Sequence, residues 1–547
     1  MAKLYLIRHG LPELPGDEPV CLGAADAPLS REGREQMKGL REFVRRAGIR
    51  RIYVSDLVRS RESGEILSGG EIPVIVREEL RENSMGEWET LTFREIRERF
   101  PEEYRRRGED MAGYAPAGGE SFRDCQRRAM EAYRRILSEM DGNTAVVGHV
   151  GFFRSLICAL EGRDLRKLMD IALPCGGVYE WPVGPALGAV ILAAGRSSRM
   201  GALKPLLPVP GGTILSREIG LLARAGVRRV VVVTGHEAER ITAECAGPGV
   251  EFVHNGAFAS TGMIDSLRLG LSALPEETEG AFVLPADAPG FTLFTLRREM
   301  EAFASGGADV IRPTAGGKPG HPLLLRRSFF PLVRDFDGRE GLRGLLSRHG
   351  ERVLDLALPE PGLVMDADTP EDYRRLLDYM ETEVPDRDRC REIWDWAGLS
   401  PALRRHSAAV ADKAEEMARA LIAAGRKIDL RTVTAAALLH DVSKGRPGHG
   451  RTGAAWLREL GLPRAADAVE RHADLPERKT VTPEELVVFL ADKHVLGDRP
   501  CTVPERYQRR LEEFGADPEA AAAIRRRWEQ AEKWNEYYHL LLQGGQE

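Results

Sequence analysis

The chain twice lays out short apolar strand runs alternating with helical stretches, and then abandons that pattern for helical periodicity alone. The first round opens with a β-like run over 4–7. A helical stretch over 30–47 follows, with Ser30 in the N-cap position, then a short strand over 51–55, a helix beginning near Arg59 and a strand over 144–147. The second round restarts with a strand over 189–194, a helix over 214–225, and strands over 229–234 and 281–284. Such alternation predicts helices packed on a mainly parallel sheet. From about residue 385 the β signal ends, and stretches such as 402–424 and 486–495 predict helices. The Pro- and Gly-bearing EWPVGPALG (180–188) and the charged ETEVPDRDR (381–389) are the expected joints. The expected architecture is two α/β three-layer domains, over 1–185 and 187–380, followed by an all-α domain over 390–547.

Composition narrows the function. Lys and Arg number 78 against 84 Asp and Glu, a net charge of −6, which argues against a dominant nucleic-acid or polybasic membrane surface. No apolar run approaches the roughly 20 residues that span a bilayer, and MAKLYLIRHG lacks a signal-peptide pattern. A cytoplasmic enzyme is therefore expected, with neither nucleic acid nor membrane as partner. The seven Cys form no CxxC pair, which disfavours a disulfide framework or a thiolate zinc site. Six of the 12 His fall after residue 400.

LIRHG places Arg8 and His9 at the end of the first strand, the edge where open α/β sheets hold ligands. A neutral imidazole can attack phosphorus, and the phosphoryl oxygens then require cationic neighbours. Arg8 and Arg59 supply charge, His149 in VVGHVG follows a second strand, and Glu82 in ELRENSMGEWE is a candidate proton source for the leaving alcohol. These strings, with GAADAPLSREGREQ and GGES, resemble the histidine phosphatase (phosphoglycerate mutase-like) superfamily. The resemblance implies His9 as nucleophile, Arg8, Arg59 and His149 as phosphate holders and Glu82 as proton donor. The spacing is closer to the small-molecule branch, such as α-ribazole phosphatase, than to the glycolytic mutase. Leu11-Pro12 stands where Glu-Thr or Gln-Thr often follows the RHG, which bears on substrate choice.

LAAGRSSRMGALKPLLPV (192–209) sets a glycine- and serine-bearing loop directly after a strand. Backbone N–H groups of such a loop can cradle a triphosphate, and Arg199 and Lys204 add charge. The string is neither a Walker loop nor GxGxxG. Asp287 follows the strand in AFVLPAD, where a carboxylate can hold Mg²⁺ against phosphates. Asp366 is a further metal candidate, while Asp368 and Glu371 read equally well as a cap for the next helix. These strings, with NGAFASTGMIDSLRLGL, GHPLLL and DADTPEDY, resemble the nucleotidyltransferases of the molybdenum-cofactor family, most strongly the molybdopterin cytidylyltransferase-like branch. The resemblance implies CTP or GTP as donor and a molybdopterin-type or other phosphorylated acceptor. It implies nucleotide contacts from Leu192, Ala193, Ala194, Gly195, Arg199, Lys204, Gly262 and Ser266, with Met263 nearby and His321 toward the acceptor. Ala288 stands where many relatives carry a polar side chain.

In the third segment His406, the pair His440-Asp441, His472 and Asp492 succeed one another. Imidazole with carboxylate binds divalent transition metals. The order resembles the HD-domain phosphohydrolases, and HDVSKG matches the branch with a Lys after the pair. The resemblance implies His406, His440, Asp441 and Asp492 as ligands of Mn²⁺, Fe²⁺, Co²⁺ or Mg²⁺. It implies Lys444, His449 and His472 as contacts to a phosphate or a second metal. His494, His539, Trp394/Trp396 and Tyr537/Tyr538 read as ordinary packing.

The expected whole is a multifunctional enzyme of phosphate chemistry, acting on a phosphorylated cofactor of molybdopterin type. Two alternatives stand beside it: assembly of the cobalamin nucleotide loop, and a nucleotide-sensing protein with one active domain.

Overall fold

A computed structural model describes residues 2–14, 16, 18–195, 200–475 and 481–543. The chain forms two compact units. One comprises Met1–Thr314, Pro319–Leu356 and Leu363–Tyr373; the other comprises Ala315–Lys318, Ala357–Gly362 and Arg374–Glu547.

The first unit holds both sheets. The first sheet is built from β1 (Ala2–Arg8), β2 (Arg51–Val54), β3 (Val74–Val76), β4 (Thr144–Gly148) and β5 (Val178–Gly184), in the order β3-β2-β4-β1-β5. The first four are parallel along this path, and β5 pairs antiparallel with β1. Alternation along the strands buries both faces. Leu4, Leu6 and Val146 point into a cluster with Phe122, Tyr133 and Phe152. Tyr5, Ile7, Ile52, Val54 and Val147 meet Met37, Val44 and Leu67 on the other side. The covering helices are α1 (Arg31–Arg46) and α2 (Val58–Ser68) on one face and α5 (Phe122–Glu139) and α6 (Val150–Glu161) on the other; α3 (Phe93–Arg99) and α4 (Pro101–Glu109) lie between them in sequence. The Ser30 hydroxyl accepts from the Gly33 N–H, as its N-cap position predicts. Gly33 also lets α1 approach the loop after β1: a Cβ there would lie 2.1 Å from the Leu11 carbonyl oxygen.

The second sheet contains β6 (Leu187–Ala193), then, after the hairpin β7 (Pro208–Val209) and β8 (Gly212–Thr213), β9 (Arg229–Thr234), β10 (Val250–His254), β11 (Gly280–Pro285), β12 (Val310–Ala315), β13 (Lys318–Pro319), β14 (Leu323–Arg326) and β15 (Val353–Ala357). Its path is β10-β9-β6-β11-β14-β12-β13, with β15 beside β12. β10, β9, β6 and β11 run parallel, and β14 is antiparallel to β11. The chain leaves β6 to one side for β9 and returns on the other for β11, so the crevice between β6 and β11 is the switch point of the sheet. The helices α7 (Ile214–Ala225), α8 (Ala238–Cys245), α9 (Met263–Ser272) and α10 (Leu293–Ser305) connect these strands, and α11 (Phe330–Asp335), α12 (Gly341–Arg348) and α13 (Pro370–Met380) follow.

The joint expected over 180–188 is mostly strand. β5 runs to Gly184 and β6 starts at Leu187, leaving only Pro185 and Ala186 between the two sheets. Trp181 and Val183 are buried in the first core, which holds this Pro- and Gly-bearing stretch extended.

The second unit is helical: α14 (Arg387–Ala397), α15 (Pro401–Ala423), α16 (Leu430–Leu439), α17 (His449–Glu459), α18 (Pro463–Arg471), α19 (Pro483–Lys493), α20 (Val503–Phe514) and α21 (Pro518–Leu542), with one short hairpin of β16 (Val495–Leu496) and β17 (Arg499–Pro500). The charged joint is shorter than expected, because Asp386 caps α14 by accepting from the Arg389 N–H. Trp394 donates its indole N–H to the Leu438 carbonyl, and Trp396 packs edge-on against Trp456, as packing residues would. Among the described residues, no helix is long and apolar enough to cross a membrane.

Candidate functional site

Three places gather the chemistry-bearing side chains. The first lies at the C-terminal edge of the first sheet. Arg8 pairs with Gly148, and Val54 with Val147. The residues that follow β1, β2 and β4, namely His9, Ser55 and His149, are therefore brought together by strand register. The His9 and His149 rings are 5.2 Å apart. His9 is 4% exposed, and its Nδ1 lies 2.7 Å from the Gly10 carbonyl oxygen. A carbonyl only accepts, so Nδ1 carries the proton and Nε2 keeps a lone pair. Burial, then the Arg59 charge, pushes the His9 pKa down to about 3, and the ring is neutral at physiological pH. His149 is fully buried and likewise held neutral, by burial and by Arg59. Its Nε2 meets the Ser55 hydroxyl at 2.7 Å, while Nδ1 is buried without a partner.

Arg8, His9, Arg59 and Glu82 line one cavity of about 340 Å³. Arg59, 1% exposed, donates to the carbonyls of Gly23 and Ala25, and Arg8 donates to that of Leu173. Glu82 accepts from the Gly151 and Phe152 N–H groups in the first turn of α6. The sequence reading missed Arg107 and Arg154, which line the same cavity, and Ser55 beside His149. A neutral imidazole with a free lone pair, fixed cations and a carboxyl group suit in-line attack on a phosphate monoester.

The second place is the β6/β11 crevice. Leu192 pairs with Pro285, so the loop after β6 and Asp287 after β11 share an edge. Leu192, Ala193, Ala194, Gly195, Lys204, Gly262, Met263, Ser266 and Asp287 line a cavity of about 330 Å³. Arg199 lies outside the described residues. Buried Asn255 donates to the Ser266 hydroxyl and fixes it. The Lys204 ammonium bonds Asp287 at 2.9 Å and Asp368 at 2.6 Å. Of the two readings of Asp368, the structure thus engages it with Lys204. Partial burial, then Asp287 and Asp368, raises the Asp366 pKa above the ordinary carboxylate range. Asp287 and Asp368 share one ammonium with Asp366 acting on the same group of charges, and this donor set fits a divalent cation. His321 is held neutral chiefly by burial, its Nδ1 is buried without a partner, and Asp287 is the charge acting on it.

The third place lies among α15–α19. His406 sits on α15 and Asp492 on α19; His440 and His472 follow the last residues of α16 and α18, and His449 opens α17. The sequence reading put Asp441 with His406, His440 and Asp492. By proximity His406, His440 and Asp492 form one group, and Asp441, His449 and His472 another. Asp441 faces both: its Oδ1 meets His449 at 3.3 Å and His472 at 3.7 Å, and its Oδ2 lies toward His440. The groups remain adjacent, with His440 Nε2 3.6 Å from Asp441.

The Nδ1 atoms of His406, His440 and His472 each meet a backbone carbonyl, of Gly497, Ala437 and Val469, at 2.6 to 2.7 Å. In the neutral ring their Nε2 atoms therefore present lone pairs. His406 Nε2 faces Asp492 at 3.3 Å, and the Nε2 atoms of His449 and His472 face each other at 3.2 Å. Lone pairs set against carboxylates repel unless a proton or a metal ion lies between them. His440 Nε2 is buried without a hydrogen-bond partner. The donor set thus fits divalent metal ions. Burial holds His440 and, to about 3, His472 below the usual imidazole range, which keeps both in the ligating form. Lys444 is bonded to Asp441 at 3.1 Å. Lys493 and Arg506, which the sequence reading missed, both hold the Asp492 carboxylate. His494 is taken up by Cys501 and Asn535.

Comparison with known proteins follows the same division. A family model of the histidine phosphatase superfamily (branch 1) matches residues 4–184, one of the MobA-like NTP transferase domain matches 189–353, and one of the HD domain matches 403–495. The molybdenum cofactor cytidylyltransferase of Escherichia coli is 29% identical over 34% of this chain and 94% of its own length. The adenosylcobalamin/alpha-ribazole phosphatase of Salmonella typhimurium is 30% identical over 29% of this chain and 79% of its own length. The 6-phosphofructo-2-kinase/fructose-2,6-bisphosphatase of Gallus gallus is 30% identical over 31% of this chain, which spans only 35% of that enzyme. Through residues 4–184 the chain belongs to the histidine phosphatase superfamily, and it joins that domain to a MobA-like NTP transferase domain and an HD domain, in that order along the sequence.

Proposed function

We propose that the protein is a multifunctional enzyme that hydrolyses a phosphomonoester through a phosphohistidine, transfers a nucleotidyl group and carries out metal-dependent phosphohydrolysis. The observation that carries this reading is that three sets of residues, each scattered through its own segment, converge on three separate sites suited to phosphate chemistry. In the first site His9 Nε2 attacks phosphorus in line with the ester bond. That bond breaks, and the leaving oxygen takes a proton from Glu82. Arg8, Arg59 and His149 hold the phosphoryl oxygens. Water, deprotonated by Glu82, then cleaves the phosphohistidine and releases inorganic phosphate.

In the second site an acceptor oxygen attacks the α-phosphorus of a nucleoside triphosphate, and pyrophosphate leaves. The loop from Leu192 to Gly195 and Lys204 hold the phosphates, with Arg199 assigned the same task. Gly262 and Ser266 contact the nucleotide. Asp287 and Asp366 would hold Mg²⁺, which supplies charge neutralisation when bound. CTP or GTP is the donor, and a molybdopterin-type cofactor is the acceptor. The similarity to the Escherichia coli cytidylyltransferase supports this choice. The similarity to the Salmonella typhimurium phosphatase favours a second reading, assembly of the cobalamin nucleotide loop.

In the third site His406, His440, Asp441, His449, His472 and Asp492 would hold divalent metal ions such as Mn²⁺, Fe²⁺ or Co²⁺, which lower the pKa of water when bound. Lys444 is placed to contact a phosphate. The deciding experiment incubates the purified chain with CTP or GTP and with molybdopterin-type or phospho-alcohol acceptors, and measures pyrophosphate. No release with any pair would refute the transferase reading.

A further inference from the structure

The stretch that matches the HD domain ends at residue 495, yet one of its candidate ligands is held from beyond that point. Arg506 lies on α20 and is 8% exposed. Its Nη2 donates to Asp492 Oδ1 at 3.1 Å, and its Nη1 donates to the backbone carbonyls of Asp492 and Val495. A single guanidinium thus grips both the side chain and the main chain of one residue. The Asp492 carbonyl lies in the last turn of α19, where helical carbonyls lose their intrahelical partners, so the same contact also closes the helix end.

The other carboxylate oxygen is taken as well. Lys493, 6% exposed, donates to Asp492 Oδ2 and to the His472 carbonyl, both at 2.9 Å, and its Nζ lies 4.5 Å from the centroid of the Phe489 ring. Oδ1 is the oxygen turned to the imidazoles, 3.3 Å from His406 Nε2 and 3.8 Å from His440 Nε2. Two buried cations therefore fix the carboxylate in one orientation. Asp441 is treated differently: among the described residues its one ammonium partner is Lys444, which is exposed. Burying a charge is costly, and one cation suffices to neutralise one carboxylate. The second fixes direction. A carboxylate free to turn can meet a divalent ion through one oxygen or both; with Oδ2 taken by Lys493, Oδ1 is left for that task.

We propose that Arg506 is a positioning residue of the metal site, which holds Asp492 as a one-oxygen ligand beside His406 and His440. This rests on the metal reading of that group and goes beyond it, because it makes the helix pair α20 and α21 part of the site. The pair is anchored independently by the Tyr538 hydroxyl, which donates to the Met417 carbonyl on α15. Loosening that anchor leaves Asp492 untouched.

The test loads the full chain with Co²⁺ alone. It reads the visible absorption at saturation, and the affinity by competition with a chromophoric chelator. The signal of the His440→Ala chain is subtracted, so only binding that depends on the site counts. Arg506→Met keeps a long stem and removes the donors. It is expected to weaken Co²⁺ binding by roughly 10- to 100-fold, and to change the shape of the spectrum because Oδ1 is no longer fixed. Arg506→Lys keeps the buried charge but cannot serve carboxylate and carbonyls together. It is expected to fall between the two, and it decides the matter if the methionine chain does not fold; wild-type values in it would then overturn the role. Tyr538→Phe is expected to keep the wild-type spectrum and affinity. Wild-type values in Arg506→Met, or the same losses in Tyr538→Phe, would overturn the role of Arg506 alone. A wild-type chain without any His440-dependent Co²⁺ signal would overturn the metal reading and this role with it.

Discussion

Acidification from pH 7.5 to 5 is expected to weaken the first sheet by about 2 kcal/mol through His9, with His149 acting in the same direction. An unfolded imidazole takes up its proton near pH 6.5. In the fold both rings stay neutral, His9 down to about 3 and His149 well below its usual range, because burial and the Arg59 charge oppose protonation. Both folded pKa values are lowered. Below pH 6.5 the unfolded chain therefore binds protons that the folded chain refuses, and stability falls as the pH falls. At pH 5 the unfolded imidazole is almost wholly protonated, and 1.5 pH units at about 1.4 kcal/mol per unit gives the figure above. The same desolvation that costs stability in acid keeps the His9 lone pair available. Hydrogen exchange of the full chain, followed on peptides from β1 and β4, reads the loss as a drop in protection. In His149→Gln the drop should be smaller than in the wild-type chain. The carboxylates Asp56 and Glu139, whose pKa values are also lowered, contribute equally to both chains. An identical pH dependence in wild type and His149→Gln would refute the claim that this ring is folded in its neutral form.

Four further outcomes are expected. His9→Ala should abolish monoester turnover while pyrophosphate release continues; loss of both without unfolding would show that the sites are not independent. Lys204→Ala leaves Asp287 and Asp368 without their ammonium, and should lower kcat/KM for nucleotidyl transfer by about 100-fold; an unchanged value would remove Lys204 from the site. Asp441→Ala should reduce the metal content of the full chain, read by elemental analysis, and an unchanged content would refute its role as a ligand. Gly33→Ala forces a Cβ to within 2.1 Å of the Leu11 carbonyl oxygen. It should cost about 1–3 kcal/mol of stability and slow the His9 reaction; unaltered melting and turnover would show that α1 does not brace the loop after β1.

The strands and the cavity linings were legible because each motif sits where a strand ends. LIRHG, VVGHVG, LAAGR and LPAD all close an apolar run, and parallel register then assembles them without further information. What stayed hidden depends on side-chain direction. PEEYRRRGED offers three consecutive arginines that are equivalent in sequence, and only the packing of α4 pairs Arg105, stacks Arg106 on Tyr114 and turns Arg107 to the cavity. Arg506 reaches Asp492 from another helix, with no local spacing to announce it. The extended backbone of the joint over 180–188 was hidden for a related reason. Its Pro and Gly residues suit a boundary, and only the core that Trp181 and Val183 enter holds most of the stretch in strands.

The three sites handle the charge of phosphate in opposite ways. Around His9 the protein supplies fixed cations and two neutral imidazoles, and the anion that completes the balance must come from the substrate. At Lys204 two carboxylates converge on one ammonium, and among the helices of the second unit imidazole nitrogens stand beside Asp441 and Asp492; both donor sets suit a cation. A site rich in guanidinium repels divalent ions, and one rich in carboxylate repels phosphate until such an ion neutralises it. The kind of donor each site presents, guanidinium in the first and carboxylate in the other two, thus separates the first chemistry from them.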